Sequence, residues 1–209
     1  MARALIASLL LLSTTAIAAP GDELLAAHAA CNGAEFAVLA QNADQLAVMM
    51  PLSKNGDVAT IRVPDRREKG RRTVRFRASV PALGLTLVGF SDEYDAFGPE
   101  LQFLFWGFLV KEDVATVARA LMPHVPNSDR MARDPDGNFV RLELFDGERW
   151  REVPDPLAYA GIPGQFVERA YIIERSKDPA FPGTRIACSL QGPVGKWPDV
   201  LPTARPDLR

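Results

Sequence analysis

The string Asp134-Pro135-Asp136-Gly137-Asn138, followed by Glu143, has the carboxylate spacing of a calcium loop. Aligned on such a loop, Asp134 and Asp136 take ligand positions three and five, Gly137 the turn glycine and Glu143 position twelve. Position one is Ala132, which brings no side-chain oxygen, and Pro135 stiffens the chain, so a tight turn is expected instead. A second carboxylate group, Asp92, Glu93, Asp95 and Glu100, surrounds Tyr94 and Phe97. Acid–base chemistry or a hard cation would need these oxygens brought together, with His124 as a proton carrier in a hydrolase acting on an envelope substrate. Nothing in the spacing enforces that convergence, and a solvated acidic turn is the plainer expectation.

Basic residues are concentrated in one stretch: Arg62, Arg66, Arg67, Lys69, Arg71, Arg72, Arg75 and Arg77, interrupted by Asp65 and Glu68. Guanidinium groups grip carboxylates, phosphates and sulfates through paired hydrogen bonds. Arg66, Arg67, Arg71, Arg72, Arg75 and Arg77 are therefore the candidate surface for an acidic protein or an anionic envelope component. An edge hairpin protected by charge would carry the same pattern.

Two histidines, His28 and His124, and two cysteines, Cys31 and Cys188, complete the chemically useful set. His28 and Cys31 share a helical face, which would suit a Cys-His nucleophile only with the sulfur free. No Cys-x-x-Cys, Gly-x-Ser-x-Gly or Gly-rich phosphate loop occurs. The expectation is a protein without catalytic residues, metal or cofactor. With 24 Lys and Arg against 26 Asp and Glu, the net charge of −2 also argues against a dedicated nucleic-acid binder.

The leader decides how the cysteines are read. Arg3, the apolar run from Ala4 to Leu12 and the small-residue string Ala16-Ile17-Ala18-Ala19 have the order of a secretory signal cleaved near Ala18 or Ala19. That run is far short of the roughly 20 residues that cross a bilayer, and no later apolar stretch reaches that length, so the mature protein is expected to lack a membrane span. In the periplasm or outside the cell, an even pair of cysteines reads as a disulfide between Cys31 and Cys188.

These residues need elements to hold them. Asp22 begins a helix with Leu24, Leu25, His28 and Cys31 on one face. Asn32 begins a second, with Glu35 as capping-box partner and Phe36, Leu39, Ala43, Leu46 and Met50 as its stripe. The period then drops to two. Val58 to Val63 and Arg71 to Val80 read as a hairpin around the charged loop, and Leu85 to Phe90 as a third strand. Leu101 to Val110 is apolar on both faces, as a central strand covered on both sides would be. Its Phe103, Phe105, Trp106 and Phe108 could alternatively line a cavity for a small apolar ligand.

Asp113 caps a short helix through Leu121. Phe139 to Phe145 and Arg149 to Val153 make a hairpin at Asp146-Gly147, and Phe166 to Arg175 and Thr184 to Leu190 complete the strands. The order predicts an α+β fold: a mostly antiparallel sheet with N-terminal helices and one short mid-chain helix packed on it. The domain plan is a cleaved signal over 1–19, one globular domain over 20–191 and an irregular proline-rich tail over 192–209. Function, on these grounds, is that of an exported, soluble, non-catalytic binding or accessory protein.

Overall fold

The computed structural model describes residues 19–98, 101–159 and 165–208. The leader thus lies outside the described residues except for Ala19. The fold is α+β. Three helices open it, α1 (Pro20–His28), α2 (Ala34–Gln41) and α3 (Ala43–Leu46), followed by a small hairpin of β1 (Leu52–Asn55) and β2 (Val58–Ile61). Then come β3 (Thr73–Ala82), β4 (Leu85–Ala96), β5 (Gln102–Val110), α4 (Val114–Leu121), β6 (Ala132–Arg133), β7 (Phe139–Phe145), β8 (Trp150–Glu152), β9 (Val167–Arg175), β10 (Thr184–Gly192) and α5 (Trp197–Ala204).

The main sheet runs β3-β4-β5-β10-β9-β7-β6, with β8 also on β7, and every pairing is antiparallel. Its core-facing positions alternate along the strands, as Leu104, Trp106, Phe108 and Val110 do on β5 and Tyr171 and Ile173 on β9. They join Leu24 and Leu25 of α1, Phe36 and Leu39 of α2, Val117 and Leu121 of α4, and Trp197, Val200 and Ala204 of α5 in one apolar cluster. At Gly107, β5 and β10 approach so closely that an added Cβ would meet the Ile186 carbonyl oxygen at 1.9 Å.

Several sequence expectations are corrected. Val58–Ile61 pairs with Leu52–Asn55, not with the Arg71 to Val80 segment, whose partner is β4. The acidic stretch Asp92 to Asp95 is not a turn but the second half of β4, in register with β5. Glu35 does not cap α2: it points inward, and the Asn32 side chain accepts from the Ala34 amide instead. The other face of β5 is only half covered. Phe103 and Phe105 stack there at 6.2 Å, half-buried, with Phe97 against Phe103 and the Arg185 guanidinium 5.7 Å from the Phe105 ring.

The largest correction concerns 192–209, expected to be irregular. It forms a 3-10 turn, α5 and a final 3-10 turn at Pro206–Leu208, and it supplies buried Trp197, Val200, Ala204 and Arg205. Pro198 sits in the first turn of α5, where a missing N–H costs a helix nothing.

Candidate functional site: an arginine-rimmed cleft

The disulfide is formed. Cys31 and Cys188 are bonded with their Cα atoms 5.5 Å apart, both fully buried, fastening the end of α1 to β10. Under Cys188 lies a polar cluster sealed in the core. Glu35 Oε1 accepts from Trp106 Nε1 at 2.8 Å and lies 3.3 Å from His28 Nδ1, while His28 Nε2 lies 3.3 Å from the Ile186 carbonyl oxygen. His28, Glu35 and Cys188 are also the one metal-ligand grouping among the described residues. The Cys188 sulfur is committed to the disulfide, so it is no thiolate ligand and no nucleophile.

The calcium-like string is a tight turn between β6 and β7. Asp134 accepts from the backbone and side-chain nitrogens of Asn138, Gly137 adopts φ +86°, and Glu143 is on a strand, bound to Arg169 at 3.0 Å. Asn138 and backbone amides hold the Asp134 carboxyl below its usual range. His124 is exposed at the end of a 3-10 turn, and no polar contact among the described residues joins it to Asp92, Glu93 or Asp95. Glu100 lies outside the described residues.

The acids of β4 are instead occupied by the arginines. Arg72 grips Asp95 with two hydrogen bonds of 2.8 and 2.5 Å and lies 3.8 Å from Glu93. The Asp95 hydrogen bond and charge raise the Arg72 pKa further. Arg185 bridges Glu93 at 2.5 Å and Glu174 at 2.6 Å. The result is a ladder of alternating charge across β4, β10 and β9 on the half-covered sheet face. Asp92, almost fully buried, is held by both Arg205 nitrogens at 3.1 and 2.9 Å and by Arg66 at 3.3 Å.

Arg205 also binds Asp207 at 2.8 Å and stacks 5.2 Å from Phe36 and 5.0 Å from Trp106. Burial pulls its pKa down, but Asp92 and Asp207 more than offset this and leave it raised. Sequence reasoning missed Arg205 because an arginine flanked by prolines reads as a tail residue. Its buried acid, Asp92, was read as solvated.

The six arginines expected to meet a partner therefore divide. Arg71 pairs with Glu68 at 2.8 Å, Arg72 is consumed by β4, Arg77 donates to the Ala47 carbonyl at 2.8 Å, and Arg75 donates to the Ala180 carbonyl while stacking 4.5 Å from Phe181. These four hold the chain to itself. Arg66 and Arg67 go elsewhere, to a cleft of about 770 Å³ between β2, the arginine loop, β4, the start of β5 and α5.

Apolar side chains of Ile61, Leu104, Leu201 and Leu208 line the cleft, beside Tyr94 and Trp197, whose rings meet edge-on at 6.3 Å. The loop is positioned by strand-like bonding, since Tyr94 N donates to the Arg66 carbonyl at 2.8 Å. Arg67 lies 5.2 Å from the Tyr94 ring, its own amide held by Asp65 at 2.8 Å. That amide bond lowers the Asp65 pKa. The Arg62 side chain donates to Ser53 Oγ at 2.7 Å.

Neither Arg62 nor Arg67 is ion-paired among the described residues, and both are exposed. Trp197 is 7% exposed, and its indole N–H has no acceptor among the described residues. Compared with known protein families, curated proteins and solved structures, the chain matches none.

Proposed function

We propose that this is an exported, non-catalytic binding protein, working in the periplasm or outside the cell, whose cleft takes a small amphipathic carboxylate. The observation that carries the reading is that two exposed guanidiniums, Arg62 and Arg67, without an ion pair among the described residues, share one apolar cleft with Tyr94, Leu104 and Trp197. A ligand acid would find cations there without breaking an existing ion pair, and a flat or aliphatic body would cover Tyr94, Leu104 and Leu201. The cleft's size is that of small-molecule sites generally. The signal-like leader and the disulfide support an oxidising compartment.

Tryptophan fluorescence tests this, because of the three tryptophans Trp197 lines the cleft, Trp106 is buried in the core and Trp150 lies on β8 away from the cleft lining. Benzoate, indole-3-acetate and dodecanoate are titrated into the mature protein, with Trp197→Phe as spectral control. At least one is expected to bind, and Arg62→Ala combined with Arg67→Ala to weaken it about tenfold, or ~1.4 kcal/mol. No binding by any of the three, or binding that ignores the double substitution, defeats the reading.

A further inference from the structure

At the other end of β5 lies a second, larger cleft of about 1140 Å³, between α4, the β6–β7 turn, the end of β9 and the loop leading into β10. It is separated from the first by the length of β5, roughly 30 Å at about 3.3 Å per residue. Lys111, Arg119, Arg133, Arg175 and Lys177 line it, all exposed. None of the five forms an ion pair among the described residues, although the chain as a whole carries more acids than bases. The Arg133 guanidinium lies 5.8 Å from the Phe139 ring.

Three aspartates share the rim, and two are occupied. Asp113 caps α4 by accepting from the Thr116 amide at 2.8 Å, and Asp178 accepts from Thr73 Oγ1 at 3.3 Å and the Ala180 amide at 2.9 Å. Asp136 is exposed in its turn. Between the charges lie Val114, Ala118, Met122 and Phe139, an apolar floor that a bare inorganic anion would leave uncovered.

We propose that this cleft docks an extended acidic segment of a partner protein. Its carboxylates pair with Arg119, Arg133 and Arg175, and the apolar side chains between them rest on Val114, Met122 and Phe139. Charge complementarity argues for it: Arg119, Arg133 and Arg175 sit on three separate elements, α4, β6 and β9, with Lys111 and Lys177 in adjoining loops, spaced around a groove as a chain of distributed carboxylates requires. Arginine forks match carboxylates with two hydrogen bonds each. The acidic partner is thus met by the cations around α4 and not by the arginine hairpin, and the inference stands independently of the small-carboxylate site.

The test uses the mature, oxidised protein and a fluorescein-labelled decapeptide of alternating Glu and Leu, read by anisotropy at two salt concentrations. Binding that weakens with salt is expected, falling at least about tenfold in Arg119→Gln combined with Arg175→Gln and unchanged in Arg62→Ala combined with Arg67→Ala. Equal binding of the Gln-Leu decapeptide, or indifference to the Arg119 and Arg175 changes, overturns the proposal. Competition by millimolar pyrophosphate as strong as that by unlabelled peptide, or capture by phosphatidylglycerol vesicles in place of the peptide, overturns it too, in favour of a phosphate or lipid site. The substituted side chains are exposed and form no ion pair among the described residues, so folding is expected to be preserved, and circular dichroism checks it.

Discussion

At the scale of single residues, the arginines do two jobs that composition alone does not distinguish. Arg205 is the structural extreme: fully buried, bound to two carboxylates and stacked between two aromatic rings. Removing one partner of such a group strands the other charges in the core, which costs about 3–5 kcal/mol, more than the intact pair contributes. Arg205→Met is therefore expected to lower stability by about that amount in urea unfolding, and adding Asp92→Asn to recover part of it. The acid limb gives a second readout. Burial raises the Asp207 pKa, but the hydrogen bond and charge of Arg205 lower it by more, leaving it below 3.8. A depressed acid contributes stability above its unfolded value and loses it as pH falls through the folded one. The native protein should accordingly weaken below pH 3.8 more steeply than Arg205→Met does. A variant within about 1 kcal/mol of the native protein, with an unchanged acid limb, would mean that the cluster is not a structural centre.

Elements legible in the sequence are those whose period is carried by side chains alone. The strands Gln102–Val110, Phe139–Phe145, Val167–Arg175 and Thr184–Gly192 and the Asp113-capped helix fall where alternation and capping place them. Pairing was legible at the Asp146-Gly147 hairpin but not in the basic stretch, because the charged loop after Val63 satisfies a hairpin pattern while its backbone docks on Tyr94 and Asp92. The cleft was half legible: arginines suited to anions were evident, but which of them remain free depends on Glu93, Asp95 and the Ala47 and Ala180 carbonyls across the fold. Hardest to see was α5, eight residues with two prolines. Its removal is correspondingly informative. A chain ending at Gly192 loses Trp197, for which truncation alone costs about 3–5 kcal/mol, along with Val200, Ala204 and Arg205. That sum approaches the whole stability of a domain, so the shortened chain is expected to lose its cooperative thermal transition and become protease-sensitive. Retention of a sharp melt within a few degrees of the full chain would show the C-terminal segment to be dispensable.

Across the whole molecule, the covalent and ionic fastenings act on the same two layers. The disulfide joins positions 157 apart, tying the first helix to a central strand, while Arg205 ties the last helix to the neighbouring half of the sheet. Closing so long a loop removes about 5 kcal/mol of freedom from the unfolded chain in the entropic account. For a protein of this size each 1 kcal/mol is worth roughly 2–4 °C, so Cys31→Ser combined with Cys188→Ser should melt about 10–20 °C lower. Access sets the kinetics. Both sulfurs are fully buried beneath β10 and α1, so a thiolate reductant can attack only after the layers part. Native protein in millimolar dithiothreitol is then expected to reduce at its unfolding rate, insensitive to reductant concentration and accelerated by urea. Trapping of free thiols over time measures this directly. First-order dependence on dithiothreitol without urea would place the bond within reach of solvent, and an unchanged melting point in the double serine variant would remove its structural role.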